Sequence, residues 1–306
     1  MVKIAGNVFY VTGGASGLGL ATVHKLAKLG AYVALLDMNS ELGESVAEGL
    51  REHAQFVRCD VRSEEHVEAA IAFIDKTWGE KPVGGVVHCG GVGMVGKTLG
   101  NDGTPFSLDV YREVIDINLT GSFNVARLIA ARIVKSTPAP PSYRNPDAPK
   151  VEADRGVIIL TSSVSFEEGQ MGKQKTGNRR MRPLIYVFLQ VKRRMRARRC
   201  GRESQNLGFT HLILPQAGVA GLALPMARDL SRYGIRVVAI APSLFETAMG
   251  ANSSQKTREN LLNGTLFPAR FGKSEEFAHL AIAILENQML NGTVIRLDGG
   301  SRMAKM

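Results

Sequence analysis

The chain is poor in cysteine, has no long apolar run, and carries fewer acids than bases. Its three cysteines, Cys59, Cys89 and Cys200, show no paired spacing, which excludes a disulfide framework and a cysteine-built metal site, so no metal is expected. No stretch reaches the length that spans a bilayer, and no secretory leader precedes the first apolar segment, so the expectation is a reduced, intracellular protein without a membrane partner. With 44% hydrophobic residues among 306, one large core is within reach.

The 28 acids face 38 Lys and Arg, a net charge of +10 that by itself points to nucleic acid or an anionic surface. The excess is local. Between Lys173 and Gln216 twelve basic residues stand against the single acid Glu203, a segment charge of +11 that leaves the rest of the chain at −1. The basicity belongs to an insert at 173–216, and a nucleic-acid partner is not expected of the fold.

What is present is organised around Thr12 to Gly19, TGGASGLG, directly after the apolar run Val8, Phe9, Tyr10, Val11. A strand that ends in a glycine-rich turn and opens into an amphipathic helix leaves backbone N–H groups aimed at an anion, and a pyrophosphate fits there. Gly13 permits the tight turn, Gly17 lets the backbone approach the ligand, and Gly19 lets the helix pack closely on the strand. About twenty residues further on, Asp37 ends a second apolar strand, Tyr32 to Leu36. A carboxylate there accepts the ribose hydroxyls of NAD and repels the 2′-phosphate of NADP, so NAD is the expected cofactor. The competing reading is that Asp37 caps the next helix, which Asn39 or Ser40 could do equally well.

Gln55 to Cys59 reads as a third strand, with Asp60 and Val61 after it placed to face an adenine. The helix Ser63 to Trp78 carries Val67, Ala70, Ile71, Phe73 and Ile74 on one face. A fourth strand, Gly85 to His88, runs into Cys89, Gly90 and Gly91, small residues that leave room for a dinucleotide, while His88 reads as structural. The helical pattern from Leu108 to Val134 is broken near Asn118, a poor helix former whose side chain can bind a water or bend the helix. Residues 136–155 form a Pro-, Ser- and Asn-rich loop excursion. Strand five, Gly156 to Leu160, delivers Thr161, Ser162 and Ser163 to the carboxyl edge of the sheet, where ligands bind. Ala217 to Tyr233 is an amphipathic helix with Val219, Leu222, Leu224, Met226, Ala227 and Leu230 on its apolar side. Strand six, Ile235 to Ile240, leads into Pro242, Phe245 and Thr247, and helical segments near Arg258 to Leu262 and Glu275 to Leu285 precede a last strand, Thr293 to Leu297. Strands alternating with helices predict an α/β fold, a single-domain doubly wound parallel sheet of Rossmann type over residues 1–306.

Taken together these blocks resemble the short-chain dehydrogenase/reductase family, in particular its type 2 3-hydroxyacyl-CoA dehydrogenases, a group that includes hydroxysteroid-oxidising members. The matching features include TGGASGLG, Asp37, CDV at Cys59 to Val61, CGG at Cys89 to Gly91 and DINL around Asn118. TSSV around Ser163, GQMG at Gly169 to Gly172, APSLFET at Ala241 to Thr247 and NGTVIRLDGG at Asn291 to Gly300 continue the match. His88 stands where the family usually has Asn, and Ser243 where it usually has Gly.

The resemblance implies hydride transfer between a secondary alcohol carbon and the nicotinamide of NAD, on an acyl-CoA or steroid-like substrate, in a homo-oligomer that is tetrameric in the family. Thr12, Gly13, Ser16, Gly17, Leu18, Gly19, Asp37, Asp60, Val61, Cys89, Gly90, Pro242, Phe245 and Thr247 are the implied cofactor contacts, and Gln170 the implied substrate contact. Ser163 would orient and polarise the substrate oxygen, and Asn118 would hold a water in the proton relay. The ending Ala304, Lys305, Met306 resembles a peroxisomal address; mitochondrion and cytoplasm are the alternatives.

The family also needs a Tyr as general acid/base and a Lys four residues later, because a phenol that titrates near pH ~10 needs a nearby cation to reach working pH. Counting forward from Ser163 by the family's spacing lands on Thr176 and Arg180, and counting back from Ala217 lands on Leu212 and Gln216. Tyr186, the one tyrosine of the insert, is followed by Lys192 six residues later.

Three readings of the insert compete: intron-derived or misframed sequence, a solvated loop, and a basic arm along phosphates on a catalytically silent scaffold. Gly172 with Lys173 fits a splice donor, and Gln216 an acceptor. Sequencing the transcript across Gly172 to Ala217 separates them. The first reading expects a dominant message that lacks the insert and encodes Tyr and Lys four apart; a genomic interval without such an exon refutes it.

Overall fold

The computed structural model describes residues 1–79, 81–93, 98–100, 102–136, 154–168, 210–247, 262 and 264–302. Cys200, Gln170 with its GQMG block, Thr176, Arg180, Tyr186, Lys192, most of the expected helix near Arg258 and the ending Ala304 to Met306 lie outside them.

Seven parallel strands form one sheet: β1 (Val8–Thr12), β2 (Tyr32–Asp37), β3 (Ala54–Arg58), β4 (Val83–His88), β5 (Gly156–Thr161), β6 (Ile235–Pro242) and β7 (Thr293–Leu297), in the order β3-β2-β1-β4-β5-β6-β7. The central strands are apolar at every position because both faces are covered. On one face Tyr10, Leu36, Val86, Ile158, Leu160 and Val237 meet Val67, Ile74, Val125, Ile129 and Val219. These come from α3 (Glu64–Trp78), α5 (Gly121–Ser136) and α7 (Thr210–Leu230). On the other, Phe9, Val11, Leu35, Val87 and Ile159 meet Val23 and Leu26 of α1 (Gly17–Lys28) and Phe277 and Ala281 of α8 (Ser274–Glu286). The connections run outward from β1 in one direction and from β4 in the other, which opens a crevice at the carboxyl ends of these two strands.

Several boundaries differ from the sequence reading for physical reasons. The helical run over 108–134 is divided into α4 (Leu108–Ile115), a π turn (Asp116–Thr120) centred on Asn118, and α5. Phe73 and Leu224 are 44% and 47% exposed rather than on the apolar faces assigned to them. At about 100° per residue, Phe73 falls well outside the Val67–Ala70–Ile74 stripe, and Leu224 outside the Val219–Met226 stripe. Helix α7 begins at Thr210, seven residues before Ala217, and therefore within the basic segment; its end passes into a 3₁₀ turn, Ser231–Tyr233.

The far end of the sheet is closed by a buried cation. The guanidinium of Arg236 on β6 donates to the carbonyls of Ile284, Leu285, Asn287 and Leu290 at 2.8–3.0 Å, taking up groups that the end of α8 leaves open, and to Asp154 at 3.0 Å. The two side chains are 7% and 3% exposed. Between α3 and α5, Arg132 forks onto both oxygens of Asp75 at 2.8 Å. Asp154→Ala, which leaves the Arg236 charge buried without its carboxylate, is expected to cost about 3–5 kcal/mol, read as a lower urea midpoint with an unchanged slope.

Candidate active site

The glycine turn is built by contacts that exclude a side chain. Gly13 has φ +62°, and a Cβ there would lie 2.9 Å from the peptide atoms joining Cys89 to Gly90. A Cβ on Gly19 would fall on the Gly13 carbonyl oxygen, so the close packing that Gly19 permits is of α1 onto the turn itself, not onto the strand. Gly17, at φ +53°, has only the Thr247 side chain within reach. Ser16, the N-cap of α1, is extended and makes no side-chain cap, so its own hydroxyl leaves the first N–H groups of the helix open. That donor set fits the pyrophosphate of a dinucleotide, with Gly13, Ser16, Gly17, Leu18 and Gly19 around it.

Asp37 closes the turn from the side. Its carboxylate accepts from the Ala15 N–H at 3.1 Å and from the Asn39 N–H at 3.0 Å. The helix that follows, α2 (Ser40–Leu50), is capped by the Asn39 side chain, so the capping alternative for Asp37 does not apply. Asp60 is more committed than expected: Arg62 forks onto both of its oxygens at 2.7–3.1 Å and holds its carboxyl below the usual range. The adenine-facing role read for Asp60 must therefore share a carboxylate already engaged. Cys59 beside it is raised to about 12 by burial and then by Asp60, and the Cys89 thiol reaches about 12 by burial, which disfavours the thiolate at both.

Asn118 is 3% exposed, and its amide is spent on the chain of Val92, accepting from the N–H and donating to the carbonyl, both at 2.9 Å. The water-holding role expected of this residue thus does not fall on those two hydrogen-bonding positions. The amide instead fixes the loop after β4.

At the end of β5, Ser163 is half-buried, with its hydroxyl accepting from the Ser165 N–H at 3.3 Å at the start of α6 (Ser165–Glu168). Ser162 donates to the Gln216 carbonyl at 2.8 Å and draws α7 to the strand end, while Leu119 of the π turn packs on Gly218. On the β6 side, Pro242 accepts from Val164 N–H, Phe245 lies over Gly272, and Thr247 reaches Gly17. The loop after β4, the end of β5, the start of α7 and the glycine turn thus gather at one edge. Val92 and Gln216, which fix two of these segments, carry no signal in the sequence because their partners are distant in the chain.

The described tyrosines lie elsewhere: Tyr10 inside β1, Tyr32 at the start of β2, Tyr111 on α4 and Tyr233 after α7. Tyr10 is buried, and desolvation drives its pKa far above the usual phenol value. Beside β5, α7 carries Leu212 and Gln216 one turn apart, and the Gln216 amide oxygen is buried without a partner. Among the described residues no three His, Cys, Asp or Glu gather as a metal requires, and no helix is long and apolar enough to cross a membrane.

A sheet of this order with a glycine-turn cradle at its switch point is a dinucleotide-binding arrangement, and the chain belongs to the short-chain dehydrogenase family. The family model described as short chain dehydrogenase matches residues 7–174, and one described as Enoyl-(Acyl carrier protein) reductase matches residues 208–302. Residues 175–207 fall between the two matches, inside the basic segment. The human 3-hydroxyacyl-CoA dehydrogenase type-2 is 36% identical over 302 residues, 98% of this chain and 97% of that protein. The Drosophila melanogaster protein of that name is 37% identical over 304 residues, 99% of both chains. A crystal structure of 3-hydroxyacyl-CoA dehydrogenase type-2 from Mycobacterium avium superposes with a TM-score of 0.77 at 31% identity, covering 100% of both chains. The protein is an oxidoreductase that works with a nicotinamide cofactor on a small-molecule substrate.

One acid-sensitive group lies in this edge. Burial lowers the His88 imidazole from 6.5 to about 4. The unfolded chain binds that proton first, so the stability due to neutral His88 is full above pH ~6.5 and falls as pH drops toward ~4, by about 3 kcal/mol in all. Denaturant unfolding of the wild type and His88→Asn between pH 7 and pH 4 is expected to show the variant losing less.

Proposed function

We propose that this chain is a NAD-dependent oxidoreductase of 3-hydroxyacyl-CoA substrates, converting the secondary alcohol at carbon 3 to a ketone. The observation that carries the cofactor choice is Asp37, whose carboxylate is fixed by two backbone N–H groups beside the glycine turn. So placed, it accepts ribose hydroxyls and repels a 2′-phosphate. The substrate class rests on the likeness to the human, fly and mycobacterial type-2 enzymes. A second reading, another secondary alcohol, has support from the ipsdienol dehydrogenase of Ips pini, 32% identical over 304 residues covering 99% of both chains.

When bound, the nicotinamide supplies the hydride acceptor. The N-terminus of α1 would hold the pyrophosphate, and Thr247 and Phe245 would border it from the β6 side. The Ser163 hydroxyl would donate to the substrate oxygen, and Asn118 would keep the β4 loop in place beneath it. The substrate hydroxyl must also lose a proton, and counting back from Ala217 by the family's spacing puts Leu212 and Gln216, neither an acid nor a base, at the positions of the needed pair. A positioned acid/base group contributes roughly 10² to 10⁴ in rate, so the chain as written is expected to bind cofactor and turn over slowly. Assembly into a homo-oligomer, tetrameric as in the family, has support from Phe123 on α5 and Leu224 on α7, both exposed.

Fluorescence titration is expected to give at least about tenfold tighter binding of NADH than of NADPH, and Asp37→Ala to narrow the ratio. Equal affinities for the wild type would overturn the cofactor assignment. The double variant Leu212→Tyr/Gln216→Lys is expected to raise oxidation of a short 3-hydroxyacyl-CoA about a hundredfold. No gain in a variant that still binds NADH would place the defect elsewhere.

A further inference from the structure

His88 is the polar residue at this edge with no part in the chemistry described so far. It ends β4 opposite Thr12 of β1 and Leu160 of β5, and is 1% exposed. Its Nδ1 lies 2.8 Å from the Thr12 hydroxyl oxygen, which in turn accepts the Gly90 N–H at 3.0 Å. That hydroxyl still has its own proton to donate, and we assign it to the imidazole. Nδ1 is then the acceptor, and the ring proton sits on Nε2, a tautomer assigned from the network. Nε2 is buried with no partner in hydrogen-bond geometry, and the Gly90 backbone beside the ring favours its protonated form against burial. An apolar side chain would pack in the same place without leaving a donor unmet, so packing alone does not account for an imidazole here.

We propose that His88 is a positioning residue for the dinucleotide: by accepting from Thr12 it fixes the direction of that hydroxyl, and through it the placement of Gly90 against the glycine turn. The proposal rests on the reading of that turn as the cofactor cradle. The loop leaving β4 is pinned at two points, at Gly90 by Thr12 and at Val92 by both ends of the Asn118 amide. The Cys89–Gly90 peptide bears directly on Gly13, which begins the turn that presents the first N–H groups of α1. Loss of the imidazole frees the hydroxyl to rotate, relaxes Gly90, and lets the floor of the cradle shift against Gly13. Asn118 cannot compensate, because it holds the loop two residues further on.

Two readouts on the full chain test this. NADH affinity, followed by the nucleotide's own fluorescence, is expected to fall about tenfold in His88→Leu and in Thr12→Val, and by about the same factor in the double variant, because both break one chain of hydrogen bonds. Hydrogen exchange without nucleotide is expected to quicken at the Gly90 N–H in His88→Leu while the amides of α8 keep their protection. Wild-type affinity in His88→Leu, or a double variant weakened by the product of the two single effects, overturns the proposal. So does exchange that quickens equally at Gly90 and in α8, the mark of general loosening. If the wild type fails to bind NADH, the cofactor reading falls, and unchanged exchange at Gly90 in His88→Leu would separately refute the link from His88 to the loop.

Discussion

At the carboxyl edge of the sheet the main chain touches itself. Gly13 lies under the Cys89–Gly90 peptide and Gly19 lies on the Gly13 carbonyl, and neither approach leaves room for a methyl group. The rest of the site is arranged around that contact. It fixes where α1 begins, hence where its unsatisfied N–H groups point, and it sets the loop after β4 directly above the turn. Such a contact stabilises little by itself. Its effect is geometric, since peptide groups in van der Waals contact have no rotamers through which to relax.

Polar side chains do most of the remaining positioning by binding backbone groups. Asp37 binds Ala15, Asn118 binds Val92, Ser162 binds Gln216, and Arg236 gathers four carbonyls at the end of α8. Buried side chains spent this way are satisfied by groups present at every residue, so the partner's identity is nearly free to vary. The arrangement survives sequence change at the partner and fails on change at the donor or acceptor side chain.

This explains which parts of the molecule were legible beforehand. The strands were readable because both faces are buried and the apolar runs are continuous, and the glycine turn because its spacing is itself the mechanism. Asp37 followed from its distance to that turn. The partners Val92 and Gln216 were not readable, because a backbone acceptor has no signature. The start of α7 was obscured by Pro215, which lies inside the helix and is a residue that ordinarily interrupts one, and by the odd composition around it. Phe73 and Leu224 were misplaced by counting apolar residues without their angle around the helix. The break at Asn118 was visible, but that it takes the form of a π turn was not: the extra residue shows only once the amide is seen to reach across to the loop after β4.

The join between α6 and α7 bears on how such a chain persists. Ser162 and Leu119 hold α7 from the C-terminal side of that join, through Gln216 and Gly218. Closing a longer connection is cheap, since each doubling of length costs only about 0.6 kcal/mol. Extra sequence joined ahead of Thr210 would leave both of those holds on α7 intact, so the sheet can assemble while the residues beside Ser163 change.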